Sequence, residues 1–127
     1  MNQTIRVLVA DDHPMVREFI SRILEAQEDL EVVGKASNGV MAIEMADALH
    51  PDVVLMDYEM PLMDGVEATW QIQNDHPEIS VIGFSTHERG HTENAMRRAG
   101  AVAYYQKGCP TEELLAAIRE CSGMQSW

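Results

Sequence analysis

One aspartate, and the polar residues that could surround it, carry the chemistry of this sequence. Asp57 follows the apolar run 53–56 and precedes a segment that contains Pro61 and Gly65. An apolar run of this length between turn-forming residues predicts a strand buried on both faces. Asp57 would then lie at the carboxyl end of a central strand, the edge where open α/β sheets bind ligands. It could instead only start a turn, and this stretch alone leaves both interpretations open.

The ends of other predicted strands carry residues of the same chemical set. Asp11 and Asp12 follow the first strand, and Ser85 and Thr86 follow the fourth. Lys107 follows the fifth. Because parallel strands end at one edge of a sheet, we expect these side chains to converge. Each has an ordinary alternative as a helix cap, a turn former or a salt-bridge partner, but their joint placement favours a site.

The converging groups predict phosphoryl chemistry. Three carboxylates close together need a cation to stay charged, and oxygen ligands suit Mg²⁺. A free carboxylate beside a metal, an ammonium group and a hydroxyl has what is needed to handle a phosphoryl group. The carboxylate of Asp57 could act as the nucleophile and form an aspartyl phosphate.

Hydrophobic periodicity predicts five strands that alternate with five helices. The strands are expected at residues 5–10, 30–36, 53–57, 79–84 and 101–106, and the helices at 14–26, 40–49, 65–74, 89–99 and 110–121. Val66, Thr69, Trp70 and Ile72 are expected to face partly inward from the third helix. Such alternation makes an α/β protein with a parallel sheet covered by helices on both faces.

Length and composition predict one domain over residues 1–127, with a core at about 4–122 and a tail, 123–127, that could begin a linker. No apolar run approaches the roughly 20 residues of a membrane span, and no signal peptide is recognised, which predicts a cytoplasmic protein. Cys109 and Cys121 would lie roughly 18 Å apart on a helical segment, so free thiols are expected.

The charge of the chain is strongly and unevenly acidic. The net charge is −12, and residues 36–88 carry ten Asp or Glu residues but no Lys or Arg. This balance argues against direct contact with nucleic acid. A solvated acidic surface explains most of it, and a cation pocket would explain the part near Asp57.

Taken together, these motifs resemble the receiver domain of two-component response regulators. The motifs are Val9-Ala10-Asp11-Asp12-His13-Pro14, Leu55-Met56-Asp57 with Met60-Pro61 and Asp64-Gly65, Phe84-Ser85, and Tyr104-Tyr105-Gln106-Lys107. The resemblance covers the chain from Ile5 to about Cys121. It implies a flavodoxin-like (βα)5 three-layer sandwich with a five-stranded parallel sheet in the order 2-1-3-4-5.

The resemblance also implies a role for each matching acidic residue. Asp57 is expected to accept a phosphoryl group from a phosphohistidine on a sensor histidine kinase. Asp12, Asp57 and the backbone carbonyl of Glu59 are expected to hold Mg²⁺, with Asp11 in support. The chain is not expected to be an enzyme beyond this self-catalysed transfer and a slow loss of the phosphoryl group.

A second group of residues is expected to transmit the signal. Ser85 and Lys107 would bind the phosphoryl oxygens, and Tyr104 would turn inward as Ser85 moves. The fourth helix, fifth strand and fifth helix would form the output face. Glu59 departs from the commonest pattern because it puts a second negative charge beside the phosphoryl site, which bears on the rate and lifetime of phosphorylation. His87, two residues after Ser85, could tune dephosphorylation or simply be solvated.

The Asp-Asp-His-Pro motif looks most like regulators in which a LuxR/NarL-type helix-turn-helix domain follows the receiver. Any contact with DNA, and control of transcription, would then belong to a C-terminal domain outside this sequence. A receiver separated from a longer protein is favoured over a stand-alone one. The resemblance leaves open a homodimer formed on phosphorylation, and no membrane contact is expected.

Two other classes of function compete with this interpretation. His87-Glu88-Arg89-Gly90-His91 matches the H-E-x-x-H pattern of zinc metalloproteases, although Gly90 disfavours the required helix and a third ligand is lacking. An Asp-nucleophile phosphatase would need a second Asp two residues after the nucleophile as its acid/base. Glu59 stands at that position instead, so this class is only partly excluded.

Overall fold

Alternating strands and helices build the chain, as the periodicity predicts. The computed structural model describes residues 4–125, and side chains as far as residue 122. The strands are β1 (Ile5–Ala10), β2 (Leu30–Ala36), β3 (Val53–Met56), β4 (Ser80–Ser85) and β5 (Ala103–Gln106). The helices are α1 (Pro14–Glu25), α2 (Gly39–Leu49), α3 (Gly65–Asp75), α4 (His91–Ala99) and α5 (Thr111–Gln125). Residues 126–127 of the expected tail lie outside the described residues.

The sheet has the predicted topology. Its order is β2-β1-β3-β4-β5, and every neighbouring pair is parallel. All residues of β3 and β4 are buried, because helices cover both faces of the central strands. The predicted flavodoxin-like three-layer sandwich is therefore confirmed.

Two apolar cores lie on opposite faces of the sheet, because successive strand residues point to opposite sides. One core joins strand residues such as Leu55 to α1 and α5 through Leu24 and Ile118. The other joins Val54 to the helices on the opposite face of the sheet, for example to α3 through Ile72. None of the described helices is long and apolar enough to cross a membrane.

Several predicted boundaries were wrong by one or two residues, for identifiable reasons. Helix α4 begins at His91, not at residue 89, because Gly90 has a φ of 116°, outside the helical range. Strand β5 begins at Ala103, because the Ala101 N–H still donates to Met96 O at the end of α4. Strand β4 includes Ser85 as its last residue.

One side chain of α3 faces away from its predicted side. Trp70 is 56% exposed, although it was expected to lie partly inward, whereas Ile72 is buried. Both cysteines, Cys109 and Cys121, are free.

Candidate functional site

Asp57 lies immediately after β3, at the carboxyl edge of the sheet. Its backbone N–H donates to Ala10 O at the end of β1 (3.0 Å), and its Oδ1 accepts from the Tyr58 N–H (2.8 Å). Only 3% of the residue is exposed. The two central strands therefore hold this carboxylate in a fixed position at the rim of the sheet.

Lys107 joins residues that are far apart in the sequence. Its Nζ lies 2.6 Å from Asp11 Oδ2 and 3.3 Å from Asp57 Oδ2, and all three side chains are largely buried. The Lys107 N–H donates to Ser85 O (2.7 Å), which fixes the start of the β5–α5 loop against β4. The structure thus brings together side chains from the ends of β1, β3 and β5, next to the end of β4.

Burial and a neighbouring negative charge both disfavour the ionised form of Asp57. Burial raises the pKa of its carboxyl above the ordinary value, and the neighbouring charge of Asp11 raises it further. Lys107 and the Tyr58 N–H oppose this shift without cancelling it. The Lys107 ammonium group therefore does not offset the combined effect of burial and the Asp11 charge.

Asp12 contributes an oxygen without a hydrogen bond. Its Oδ1 is buried and has no hydrogen-bond partner, although His13 Nδ1 lies 3.2 Å away. Ligand atoms of Asp11, Asp12, His13 and Asp57 all lie within 4.8 Å of one another. A buried carboxylate oxygen without a hydrogen bond in such a cluster fits a divalent cation bound by oxygen ligands.

His13 is a neighbour that the sequence interpretation did not include in the site. The backbone N–H of His13 donates to Asp11 Oδ1 (2.8 Å), and the ring Nδ1 of His13 lies 3.2 Å from the same oxygen. The signal was present in the sequence, since His13 directly follows the acidic pair and precedes Pro14 at the start of α1.

Glu59 and His87 bind each other across the rim of the site. His87 Nε2 lies 2.8 Å from Glu59 Oε1, and the edge of the His87 ring meets the Tyr58 ring at a centroid distance of 5.1 Å. Glu59 also borders one open cavity together with Asp12 and Asp64. The Glu59 carboxylate is thus paired with His87. The separation of the two residues in the sequence could not indicate this contact.

Glycine and a helix cap fix the loop that follows Asp57. The Gly65 N–H donates to Tyr58 O (2.8 Å), and a Cβ at Gly65 would overlap the carbonyl oxygen of Asp57. Asp64 caps α3 by accepting from the Glu67 N–H (2.9 Å). The Asp57 backbone is therefore packed against the start of α3.

Ser85 and Tyr104 form a buried pair at the other side of the site. Both are fully buried, and Ser85 Oγ accepts from the His87 N–H at 3.2 Å. The Tyr104 hydroxyl donates to His87 O at 2.6 Å. The Tyr104 ring lies beside Gly83, its partner residue on the neighbouring strand β4, and a Cβ at Gly83 would come within 2.7 Å of Tyr104 Cδ1. Burial raises the pKa of Tyr104, which keeps its hydroxyl a donor.

The zinc-protease alternative is not supported by this geometry. It needs His87 and His91 on one helix, but His87 lies in the loop before α4 and contacts Glu59. In the described part of the chain, possible metal-ligating groups gather in two places, and neither includes His87 or His91. The phosphatase alternative is weakened as well, because the Glu59 carboxylate is bound to His87.

Known proteins with this sequence pattern are response regulators. The family model "Response regulator receiver domain" matches residues 7–119. The response regulator GacA of Pseudomonas viridiflava is 43% identical over 115 residues, which cover 91% of this chain and 54% of GacA. The response regulator protein VraR of Staphylococcus aureus is 42% identical over 123 residues, which cover 97% of this chain and 59% of VraR.

A solved structure agrees with the sequence matches. The signal receiver domain of the putative response regulator NarL from Mycobacterium tuberculosis superposes with a TM-score of 0.90 at 32% identity, covering 95% of this chain and 98% of that one. The chain spans about half the length of the curated relatives it matches. The family match and these identities show that the chain belongs to the response regulator receiver domains.

Proposed function

We propose that Asp57 accepts a phosphoryl group from a phosphohistidine of a sensor histidine kinase. The observation that carries the proposal is the position of Lys107 Nζ between Asp11 and Asp57. An oxygen of the Asp57 carboxylate attacks phosphorus, and the bond between phosphorus and the imidazole nitrogen breaks. The bonding electrons stay on that nitrogen, so the kinase histidine is restored.

A magnesium ion fits the acidic side of this site. Asp12 and Asp57, with the backbone carbonyl of Glu59, would hold the ion, and Asp11 would support them. The buried Oδ1 of Asp12 without a hydrogen bond is the observation that favours this assignment. When bound, Mg²⁺ offsets negative charge on the phosphoryl oxygens.

Lys107 and Ser85 would bind the transferred group from the opposite side. Lys107 now contacts two carboxylates, and an aspartyl phosphate would give its ammonium group new acceptor oxygens close to the same position. Ser85 lies beside it at the end of β4, because Ser85 O accepts the Lys107 N–H. A hydroxyl and an ammonium group can then share the phosphoryl oxygens.

His87 couples these contacts to the output face formed by α4, β5 and α5. Its N–H donates to Ser85 Oγ, and its carbonyl accepts from the Tyr104 hydroxyl. A movement of Ser85 toward the phosphoryl group would release the first bond and shift the loop before α4. Tyr104 is already buried here because Gly83 leaves room for the ring, so phosphorylation would shift the population of an accessible state.

The helix next to the site offers an apolar surface to a kinase. Met15 and Phe19 of α1 are 86% and 64% exposed, and α1 starts two residues after Asp12. Exposed large apolar side chains beside a reactive group suit a transient protein contact. We propose the kinase as the occupant, because the phosphoryl donor must reach Asp57 from this rim.

The output is proposed to be control of transcription through a domain outside this sequence. This follows from the chain's matching only about half of GacA and VraR and from its strongly acidic charge, which disfavours direct contact with DNA. A homodimer formed on phosphorylation would be one way to pass on the signal.

Incubation with Mg²⁺ and acetyl phosphate, followed by intact-mass measurement, tests the phosphoacceptor. We expect a mass gain of one phosphoryl group. No gain is expected when a chelator is present during the incubation, and none is expected in Asp57→Asn. Asp75→Asn, a change at an exposed carboxylate of α3, serves as the matched control and should still be phosphorylated. Equal phosphorylation of Asp57→Asn would contradict the proposal.

A further inference from the structure

The sheet edge opposite Asp57 carries a second group of metal-ligating side chains. His50 caps the carboxyl end of α2, shortly before β3, and His76 caps the carboxyl end of α3. Glu78 follows two residues later, just before β4. One ligand atom from each of the three lies within 4.8 Å of the others. No step of the proposed phosphoryl transfer uses these residues.

We propose that His50, His76 and Glu78 form a binding site for zinc or a similar divalent transition metal. Two imidazoles and a carboxylate suit zinc, whereas Mg²⁺ prefers oxygen ligands alone. Three protein ligands leave the fourth tetrahedral position to water. The site is independent of the Asp57 cluster, which lies at the other end of the same strands.

The arrangement of the two rings matches joint coordination. Their centroids are 5.1 Å apart, and the ring planes meet at 87°. Two imidazoles on one tetrahedral zinc ion, each with a Zn–N distance of about 2.0–2.1 Å, have centroids roughly 5 Å apart. The spacing of the two rings is therefore compatible with coordination of one ion by both.

Asp47 orients His76 for this purpose. Its Oδ1 lies 2.6 Å from His76 Nε2, so Asp47 accepts the hydrogen bond that leaves Nδ1 as the free ligand atom. Nδ1 in turn lies 3.7 Å from Glu78 Oε2. A histidine that binds zinc through one ring nitrogen usually donates its other ring N–H to a carboxylate or a similar acceptor.

The backbone holds the two histidines in place without a metal. His50 adopts a left-handed conformation with φ of 48°, and Arg6 Nη1 donates to its carbonyl oxygen at 2.8 Å. The His76 N–H donates to Ile72 O (2.7 Å), and its carbonyl accepts from the Ile79 N–H (3.0 Å). Pro77 restricts the chain between His76 and Glu78. A bound ion would tie the carboxyl ends of α2 and α3 together.

Equilibrium dialysis of the metal-free chain against zinc chloride, with excess Mg²⁺ to occupy the acidic cluster, tests the site. We expect one zinc ion per chain in the wild type and also in Asp57→Asn. His50→Gln and His76→Gln should each weaken binding at least tenfold. Asp47→Asn should weaken it about 10- to 100-fold through loss of the orienting contact.

Matched histidine changes separate this site from other sources of zinc binding. His91→Gln changes an exposed histidine of α4 and should bind zinc like the wild type, as should His87→Gln. Urea unfolding of each metal-free variant checks that the fold is retained. Absence of stoichiometric zinc, or unchanged affinity in both His50→Gln and His76→Gln, would overturn the proposal and leave only an ion-pair network around His76.

Discussion

Replacing Asp57 with asparagine is expected to stabilise the metal-free protein. The variant removes one negative charge from a buried cluster but keeps an oxygen that can accept from the Tyr58 N–H. Lys107 retains its 2.6 Å contact with Asp11. The change therefore tests the charge of Asp57 with little change in packing.

The magnitude follows from the distances around the carboxylate. At an effective dielectric constant of about 20, the 3.3 Å contact with Lys107 attracts by roughly 5 kcal/mol. Ligand oxygens of Asp11 and Asp12 lie within 4.8 Å, and each repels Asp57 by roughly 3.5 kcal/mol. Repulsion exceeds attraction by about 2 kcal/mol, and burial disfavours the ionised carboxylate in the same direction. We therefore expect a gain on the order of 2 kcal/mol or more in the free energy of unfolding at pH 7.

Urea unfolding at several pH values, with and without Mg²⁺, measures this effect. Because the native pKa of Asp57 is raised, the wild type loses stability as the pH rises from the ordinary value of 3.8 through the native value. Asp57→Asn lacks that loss, so the two proteins should converge at low pH. If Mg²⁺ binds the native cluster as proposed, it should stabilise the wild type more than the variant.

The exposed Asp75→Asn change is the control and should alter the free energy of unfolding by less than about 0.5 kcal/mol. If Asp57→Asn is no more stable than the wild type at pH 7 without metal, the assumed excess of negative charge is wrong. A difference that persists unchanged at low pH would also refute the reasoning, because it could not come from ionisation of Asp57.

Two further predictions concern packing around the site. Gly83→Ala places a Cβ 2.7 Å from Tyr104 Cδ1 and 3.2 Å from Met96 Cε, so we expect a loss of about 1–3 kcal/mol in urea unfolding and an altered NMR environment for the Tyr104 ring. Unchanged ring signals would contradict the close fit. Asp64→Ala removes the α3 cap and should cost about 1 kcal/mol in the same assay, whereas Asp64→Asn should cost little because asparagine also caps helices. Equal costs for these two changes would argue against the cap.

The sequence predicted those features of the fold and site that depend on strand ends. The apolar run before Asp57 fixed a central strand, and parallel topology then required the ends of the other strands to share one edge. For that reason Asp11 and Lys107, 46 residues before and 50 residues after Asp57, could be expected near it.

Contacts between loops could not be predicted in the same way. The pairing of Glu59 with His87 depends on how two loops approach each other, which neither periodicity nor spacing encodes. The same holds for His50 and His76, which cap the carboxyl ends of two different helices. Trp70 was placed inward from its apolar character alone, but the buried stripe of α3 runs through its neighbours Thr69 and Ile72.

Locating the phosphoryl group within the chain is the most direct test of the account. Borohydride reduces an aspartyl phosphate to homoserine, which peptide mass spectrometry can place at a single residue. After incubation with Mg²⁺ and a phosphodonor, we predict homoserine at position 57 alone, with a lower yield in Lys107→Met. Homoserine at another aspartate, with Asp57 unmodified, would contradict the proposal that this cluster accepts the phosphoryl group.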